Sequence, residues 1–377
     1  MRRAFLGFVF LVVCATSAVT VWTILEIRNP YRGYAGSQVF VDIPRGASRH
    51  EIARQLVAAG VVPHWLPFEL YSRWHSAHPL EAGEYLFDQA IDPRGVFWKI
   101  AEGRVYVRTI VVPEGWTMFD IAAALDRAGI CSRRNFLAVA DDPSLIHDLA
   151  PDATTLEGYL FPATYEFTRR ETAGDIATAM VSRFRMEWSR LEGIPRSNAS
   201  ALQVGAVPRG ASSGITPEHN TASAEDVVTM ASLVERETPR AQERPLVASV
   251  FYNRLALGYP LQCDPTVQYA LELAGRPEAE VTPRDLQFDS PYNTYLHRGL
   301  PPGPIANPGE AALRAALAPA KTDYLYFVAD AQGGHFFSPT LAKHNRNVIL
   351  YRRRLAGDAD AQPEAQSSRR RKRGGKG

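Results

Sequence analysis

A short pattern occurs twice in the chain at a constant offset of 69 residues. Pro44, Gly46, Ser48, Glu51, Ile52, Leu56 and Gly60 coincide with Pro113, Gly115, Thr117, Asp120, Ile121, Leu125 and Gly129. Each copy reads as a β-branched strand (39–43 and 107–112), a Pro-x-Gly turn, and a helix that opens on a capping box and stops at glycine. The boxes are Ser48 with Glu51 and Thr117 with Asp120. A strand–turn–helix unit this small cannot enclose its own apolar face. The pattern therefore predicts an α+β body in which each unit packs on a neighbour. Between the copies, 81–87 predicts a strand after a turn, and 95–102 a short helix ended at Gly103.

The N-terminal end carries a different signal. Arg2 and Arg3 precede an uncharged run, residues 4–25, rich in Phe, Leu and Val. As a helix the run would be about 33 Å long, enough to cross a bilayer core. The flanking arginines favour a cytoplasmic N-terminus and an exported body. A cleaved signal peptide would end its apolar region after about 7–15 residues, and Val13 does not suit a lipidated Cys14. A single retained anchor is expected. Of the three cysteines, Cys14 lies in that run, so Cys131 and Cys263 allow one bridge and imply none. No Cys/His spacing suggests a metal site, and His335 and His344 read as structural or polar-surface residues. No cofactor is expected.

The net charge of +2 hides a division. Arg369, Arg370, Arg371, Lys372, Arg373 and Lys376 crowd a low-complexity tail, 356–377, and the remainder of the chain is acidic. The tail reads as disordered. With the body exported, nucleic acid is not an expected partner; loose affinity for anionic headgroups or polymers fits better. Residues 195–221, rich in Ser, Ala, Gly and Pro, read as a flexible insertion.

The segment 223–239 predicts a helix from the box of Ser223 and Asp226 to Pro239. Val227, Met230 and Val234 form an apolar stripe at helical period, and Glu237 continues it. Glu235 lies about 120° around the helix. A carboxyl pressed on apolar surface has its charged form disfavoured, which raises its pKa toward what a general acid needs. A frayed last turn with Glu237 in water satisfies the periodicity equally well. Downstream, 246–257 predicts an amphipathic helix and Asp264-Pro265 starts another. Residues 290–308 are a loop too rich in Pro and Gly for regular structure, and 324–329 predicts a buried strand before the turn at Gly333-Gly334. Tyr292, Asn293, Tyr295, Asn253, Gln262, Asp264 and Asn307 supply aromatic faces and neutral hydrogen-bonding groups. Upstream, Glu157 stands among Tyr159, Phe161, Tyr165 and Phe167. Together these suit a sugar polymer, with a protonated Glu delivering a proton to a glycosidic oxygen. Singly, each has a turn or core explanation.

At these residues the sequence resembles a known family. ASLVERET, VASVFYNRL, LQCDPTVQYAL, SPYNTYLHRGLPPGPIANPG and PAKTDYLYFVAD, with LEGYLFPATYEF upstream, are similar to motifs of the YceG/MltG family of endolytic murein transglycosylases. The resemblance implies a single-pass inner-membrane protein (4–25), a LysM-like subdomain (37–105) and a mixed α/β catalytic domain (106–355) on the periplasmic side. It implies cleavage of nascent peptidoglycan glycan strands into 1,6-anhydro ends, which stops their elongation, with peptidoglycan synthases of elongation or division as partners. The essential acid would be the second Glu of the V-E-x-E-T motif, Glu237. Glu157, Asn253, Gln262, Asp264, Tyr292, Asn293 and Tyr295 would bind substrate, and Glu157 is the alternative acid. Two features depart from the family: the insertion is long, and Cys263 stands where a small hydroxyl residue is usual. Hydrolysis with Glu157 or Asp264 as second carboxyl and a non-enzymatic wall-binding scaffold remain the competing readings.

Overall fold

A computed structural model describes residues 2–191, 193, 223–277 and 280–356, with side chains from residue 10 onward in the first helix. The expected insertion, and the basic tail beyond Ala356, lie outside the described residues. The described chain falls into two compact units. One runs to Ile110 and includes Glu166–Thr172; the other comprises Val111–Tyr165 and the chain from Ala173 onward.

The first unit begins with α1 (Arg2–Glu26) and continues through β1 (Val39–Ile43), α2 (Arg49–Ala58), α3 (Trp65–Trp74), β2 (Gly83–Phe87) and α4 (Pro93–Ala101). Strands β1 and β2 pair antiparallel, with Val39 opposite Phe87 and Ile43 opposite Gly83. Alternation along β1 turns Val41 and Ile43 inward, where they meet Ile52 and Leu56 of α2, Phe68 of α3, and Phe97 and Ile100 of α4. The Ser48–Glu51 box is reciprocal, as the sequence predicts. Gly60 ends α2 at φ 70°, and a Cβ there would lie 2.7 Å from the Gly33 carbonyl carbon. Helix α4 starts earlier than the apolar pattern indicates, because Asp92 caps the Gly95 N–H and Pro93 suits the first turn. Among the described residues no helix is long and apolar enough to cross a membrane. The run expected to span begins at Ala4, ahead of the first described side chains.

The second unit, from Val111, holds the turn and helix of the repeat's second copy, whose strand lies mostly in the first unit, followed by most of the helices. The strand β3 (Arg108–Val111) leads to α5 (Met118–Arg127), α6 (Arg133–Ala140), β4 (Thr164–Phe167) and α7 (Ala173–Leu191). Strands β3 and β4 pair as a two-stranded sheet. Helix α5 opens on the reciprocal Thr117–Asp120 box. There follow α8 (Ala224–Glu237), α9 (Arg244–Ala256), α10 (Asp264–Leu273), α11 (Glu310–Leu317), β5 (Tyr326–Ala329), β6 (His335–Ser338) and α12 (Leu341–Leu355). Helix α8 packs against α9, α10 and α11 and is buried continuously from Val227 to Glu235. It is a central helix rather than a surface helix with one apolar stripe. The strand expected to be buried at 324–329 is shorter and only half-buried. It pairs with β6, Tyr326 opposite Ser338 and Ala329 opposite His335, and among the described residues no further strand joins this hairpin to enclose it. Cys14, Cys131 and Cys263 are all free thiols.

Candidate active site

Three glutamates, two of them the candidate acids Glu237 and Glu157, occupy three different environments. Glu237 closes α8, whose Ser223 box and Thr238 terminus delimit the helix. The stripe residues Val227, Met230 and Val234 are buried, and Glu237, one turn further on, is part-buried. Burial of its carboxyl pushes the pKa up to about 7. A hydrogen bond from the Cys263 side chain opposes that shift, Asp264 adds to it, and the positive ends of His335 and Arg254 oppose it again. At that value the group can hold and release a proton near neutral pH.

Glu235, on another side of the same helix, is not a solvent-facing bystander. Its side chain pairs with Arg244 Nη2, itself buried, and its second oxygen accepts the Gly309 N–H at 3.0 Å. Arg244 also reaches Glu114 at 3.0 Å. Burial raises the Glu235 pKa to about 7 against the pull of Arg244. Both oxygens of Glu235 are therefore occupied by groups that join α8 to α9 and to the start of α11.

Glu157 is 1% exposed. Its oxygens accept the Met118 N–H at 3.0 and 3.1 Å, and Oε1 accepts Asn307 Nδ2 at 2.8 Å. Burial dominates and pushes its pKa up to about 8, with the Met118 N–H and the Tyr269 hydroxyl pulling it back. Asn307 completes the joint, donating to the Trp116 carbonyl and accepting the Leu160 N–H. This carboxyl lies at the N-terminus of α5, where a helix end has unpaired N–H groups to satisfy. It holds three segments together and presents no free oxygen to a ligand.

The residues expected to bind substrate also divide. Asn293 is fully buried and donates to the Leu286 and Phe288 carbonyls, which sets the path of the 286–295 loop. Asn253 donates to the Thr322 and Tyr324 carbonyls at 2.9 Å, anchoring the approach to β5. Tyr292 packs edge-on to Tyr269, ring centroids 5.1 Å apart. By contrast, Gln262 and Asp264 are exposed on either side of buried Cys263. The part-buried Tyr295 donates its hydroxyl to Asp264 Oδ1. Gln262, Cys263, Asp264, Tyr295 and Glu237 thus form one cluster at the N-terminus of α10, with solvent access at Gln262 and Asp264.

Two members of this neighbourhood carry no local signal in the sequence. Arg254 of α9 donates to the Leu325 and Leu261 carbonyls at 2.7 Å and lies over the Tyr326 ring at 5.3 Å. His335 opens β6 with its Nδ1 2.7 Å from Glu243 Oε2, while Glu243 Oε1 accepts the His335 N–H. Both act on Glu237 electrostatically. They arrive from separate elements, and only the fold brings them together. Among the described residues, no group of His, Cys, Asp and Glu is arranged to hold a metal ion.

With the geometry in place, comparison with other proteins narrows the chemistry. The YceG-like family model matches residues 41–349. An endolytic murein transglycosylase of Bacillus subtilis is 37% identical over 342 residues, covering 86% of this chain and 88% of that protein. One from Streptococcus pneumoniae is 28% identical over 354 residues, and the match covers 86% of this chain but 60% of the pneumococcal protein. A crystal structure described as that of a yceG-like protein from Listeria monocytogenes aligns with a TM-score of 0.51 and 34% identity. It covers 82% of this chain and 98% of the other.

Proposed function

The chain belongs to the YceG-like family, and on that footing we propose that it is a lytic transglycosylase acting on peptidoglycan. In this reading it cuts nascent strands internally, at the β-1,4 bond between N-acetylmuramic acid and N-acetylglucosamine. The observation that supports it best is the Glu237 carboxyl, desolvated and poised near neutrality, beside a polar edge formed by Gln262, Asp264 and Tyr295.

One carboxyl suffices for such a reaction. Glu237 gives its proton to the glycosidic oxygen as the bond from the muramoyl C1 breaks, and positive charge develops at C1. The carboxylate left behind takes the proton of the muramoyl C6 hydroxyl. The C6 oxygen bonds to C1 and closes the 1,6-anhydro ring. Glu237 finishes protonated, as it began, and no water is consumed. In this reading Asp264 and Tyr295, joined by a hydrogen bond, orient ring hydroxyl groups, and Gln262 meets an acetamido group.

A hydrolase would need a second carboxyl for water or for the sugar. Glu157 fits that role poorly, since its oxygens are engaged by Met118 and Asn307. The reading extends to the rest of the chain. Residues 4–25 anchor the protein in the inner membrane with the body on the exported side. The first unit binds wall polymer in the manner of a LysM module, and the enzyme works beside peptidoglycan synthases.

Digestion of purified peptidoglycan, followed by mass analysis of the products, tests the reaction. Anhydro-muramoyl ends, one water lighter than reducing ends, are expected. Reducing ends would establish hydrolysis, and undigested strands would leave a wall-binding protein.

A further inference from the structure

The last helix has one side in use and one side open. The inward side of α12 (Leu341–Leu355) is committed to the β5–β6 hairpin. Asn347 Nδ2 donates to Ser338 Oγ at 2.9 Å, the His344 and Tyr326 rings stack with centroids 5.3 Å apart, and the Arg354 guanidinium lies over the Phe336 ring at 5.1 Å. The outward side exposes aliphatic residues: Ile349 at 53%, Leu341 at 54% and Leu355 at 64%. From 3.6 residues per turn, Arg352 lies about 60° to one side of Ile349, and Arg353 and Arg346 lie about 40° and 60° to the other. These three arginines and Lys343 are all exposed. The helix carries five basic residues and no acidic one. Among the described residues, no carboxylate pairs with Lys343, Arg346, Arg352 or Arg353, whereas exposed Arg190 and Arg314 of the same unit each find one, Glu187 and Glu310. An aliphatic side chain thus stands between flanking cations. The chain then continues into 357–377, which adds six basic residues against three acidic.

We propose that the outward face of α12 is a docking surface for an anionic lipid bilayer. Arg346, Arg352 and Arg353 meet lipid phosphates, where a guanidinium can give two parallel hydrogen bonds. Ile349 and Leu341 enter the boundary between headgroups and acyl chains. Such a face binds through buried apolar area and through attraction to anionic lipid together. The aliphatic centre is what selects a bilayer over a hydrophilic polyanion. A polyanion would meet the arginines but would leave Ile349, Leu341 and Leu355 in water. Each arginine near an anionic surface favours the docked state about fivefold, and the basic residues that follow in sequence act in the same direction. The surface belongs to the second unit, so it gives the catalytic part of the chain an attachment of its own, separate from residues 4–25. The docking does not depend on the transglycosylase reading.

The test places an environment-sensitive fluorophore at position 349 of the full chain. The labelled chain is reconstituted in vesicles of phosphatidylcholine alone, or of phosphatidylcholine mixed with phosphatidylglycerol. Emission should shift to the blue in the mixed vesicles only, and about 1 M salt should reverse the shift by shortening the reach of the charges. Arg346→Gln, Arg352→Gln and Arg353→Gln together should lower the ratio of docked to undocked chain on the order of 10²-fold. No shift with phosphatidylglycerol, an equal shift in both vesicles, or a shift that survives the triple substitution overturns the proposal. So does an equal shift with soluble polyglutamate, which would make the partner an anionic polymer. A second measurement needs no variant: in the unlabelled chain, hydrogen exchange of the 341–355 amides should slow in the mixed vesicles and not in phosphatidylcholine. Exchange that is the same in both also overturns it. Flotation with the phosphatidylcholine vesicles reads the membrane anchor by itself. A chain that does not float there sinks the anchor and leaves the docking test intact, since mixed vesicles can be added to the chain in solution.

Discussion

Glu235 pairs with Arg244 inside the protein, both side chains almost wholly removed from solvent, two residues along α8 from the acid. The pair holds the helix that carries Glu237 against α9, and the Gly309 N–H ties it to the start of α11. Helical periodicity places Glu235 on a different face from Glu237, but here both faces are interior. Glu235 is buried and Glu237 part-buried, and both oxygens of Glu235 are held by Arg244 and the Gly309 N–H.

Removing Glu235 should therefore harm folding more than chemistry. Glu235→Gln leaves Arg244 buried with only the half-exposed Glu114 to compensate it, and breaking a buried pair this way costs about 3–5 kcal/mol. Urea unfolding should show a midpoint lowered accordingly, and replacing both partners, Glu235→Leu with Arg244→Met, should recover much of the loss. An unchanged midpoint in the single variant would mean that the ion pair contributes nothing.

Glu237→Gln should have the opposite profile. Glutamine keeps the shape but cannot give and reclaim a proton, a contribution of about 10²–10⁴-fold for general acid–base transfer. Because one residue serves both steps, anhydro product release should fall by at least about 10⁴-fold. Stability should stay level or rise, since a desolvated carboxyl is costly once ionised. Near-normal product release from this variant, with Glu157→Gln inactive, would identify Glu157 as the acid.

Truncating Glu157 should separate scaffold from catalyst. Glu157→Ala strips partners from the Met118 N–H and Asn307 Nδ2, two buried donors whose loss of pairing costs roughly 1–3 kcal/mol each. The melting temperature should drop by several degrees. Below it, the product should still carry the anhydro ring. A variant that melts like the wild type but makes no product would assign Glu157 to the chemistry.

The pH dependence has a definite sign. Glu237, Glu235 and Glu157 have folded pKa values raised to about 7, 7 and 8 from an ordinary 4.5. Between those limits the folded chain holds protons that the unfolded chain has released, so their contribution is full below about pH 4.5 and is lost as pH climbs toward 8. Asp148 and Glu69, whose pKa values are lowered by Arg185 and His50, lose their contributions only at the acid end. Melting temperature should thus be higher near pH 5.5 than near pH 8.5, and Glu237→Gln should flatten the slope. A melting temperature that rises steadily to pH 8.5 would contradict this account of the buried carboxyls.

Membrane topology gives one more check. If residues 4–25 span the inner membrane with Arg2 and Arg3 inside, a reporter fused after Leu355 should be active only on the exported side. Activity in the cytosol would remove both the localisation and the substrate.

Local rules act over a few residues, and what depends on them was legible in the chain. The offset repeat, the capping boxes at Ser48, Thr117 and Ser223, the start of α10 at Asp264 and the irregular 290–308 loop all follow from capping, turn chemistry and periodicity. So does the apolar stripe that ends on Glu237. Long-range packing decided the rest. Nothing near Glu235 announces Arg244, nothing near Glu157 announces Met118 or Asn307, and Arg254, Cys263 and His335 act on Glu237 from three elements scattered along the second unit. Burial is set by what other segments place around a residue, so the difference between an acid poised to act and a carboxyl tied into the framework exists only once α8, α9, α10 and the β5–β6 hairpin have come together.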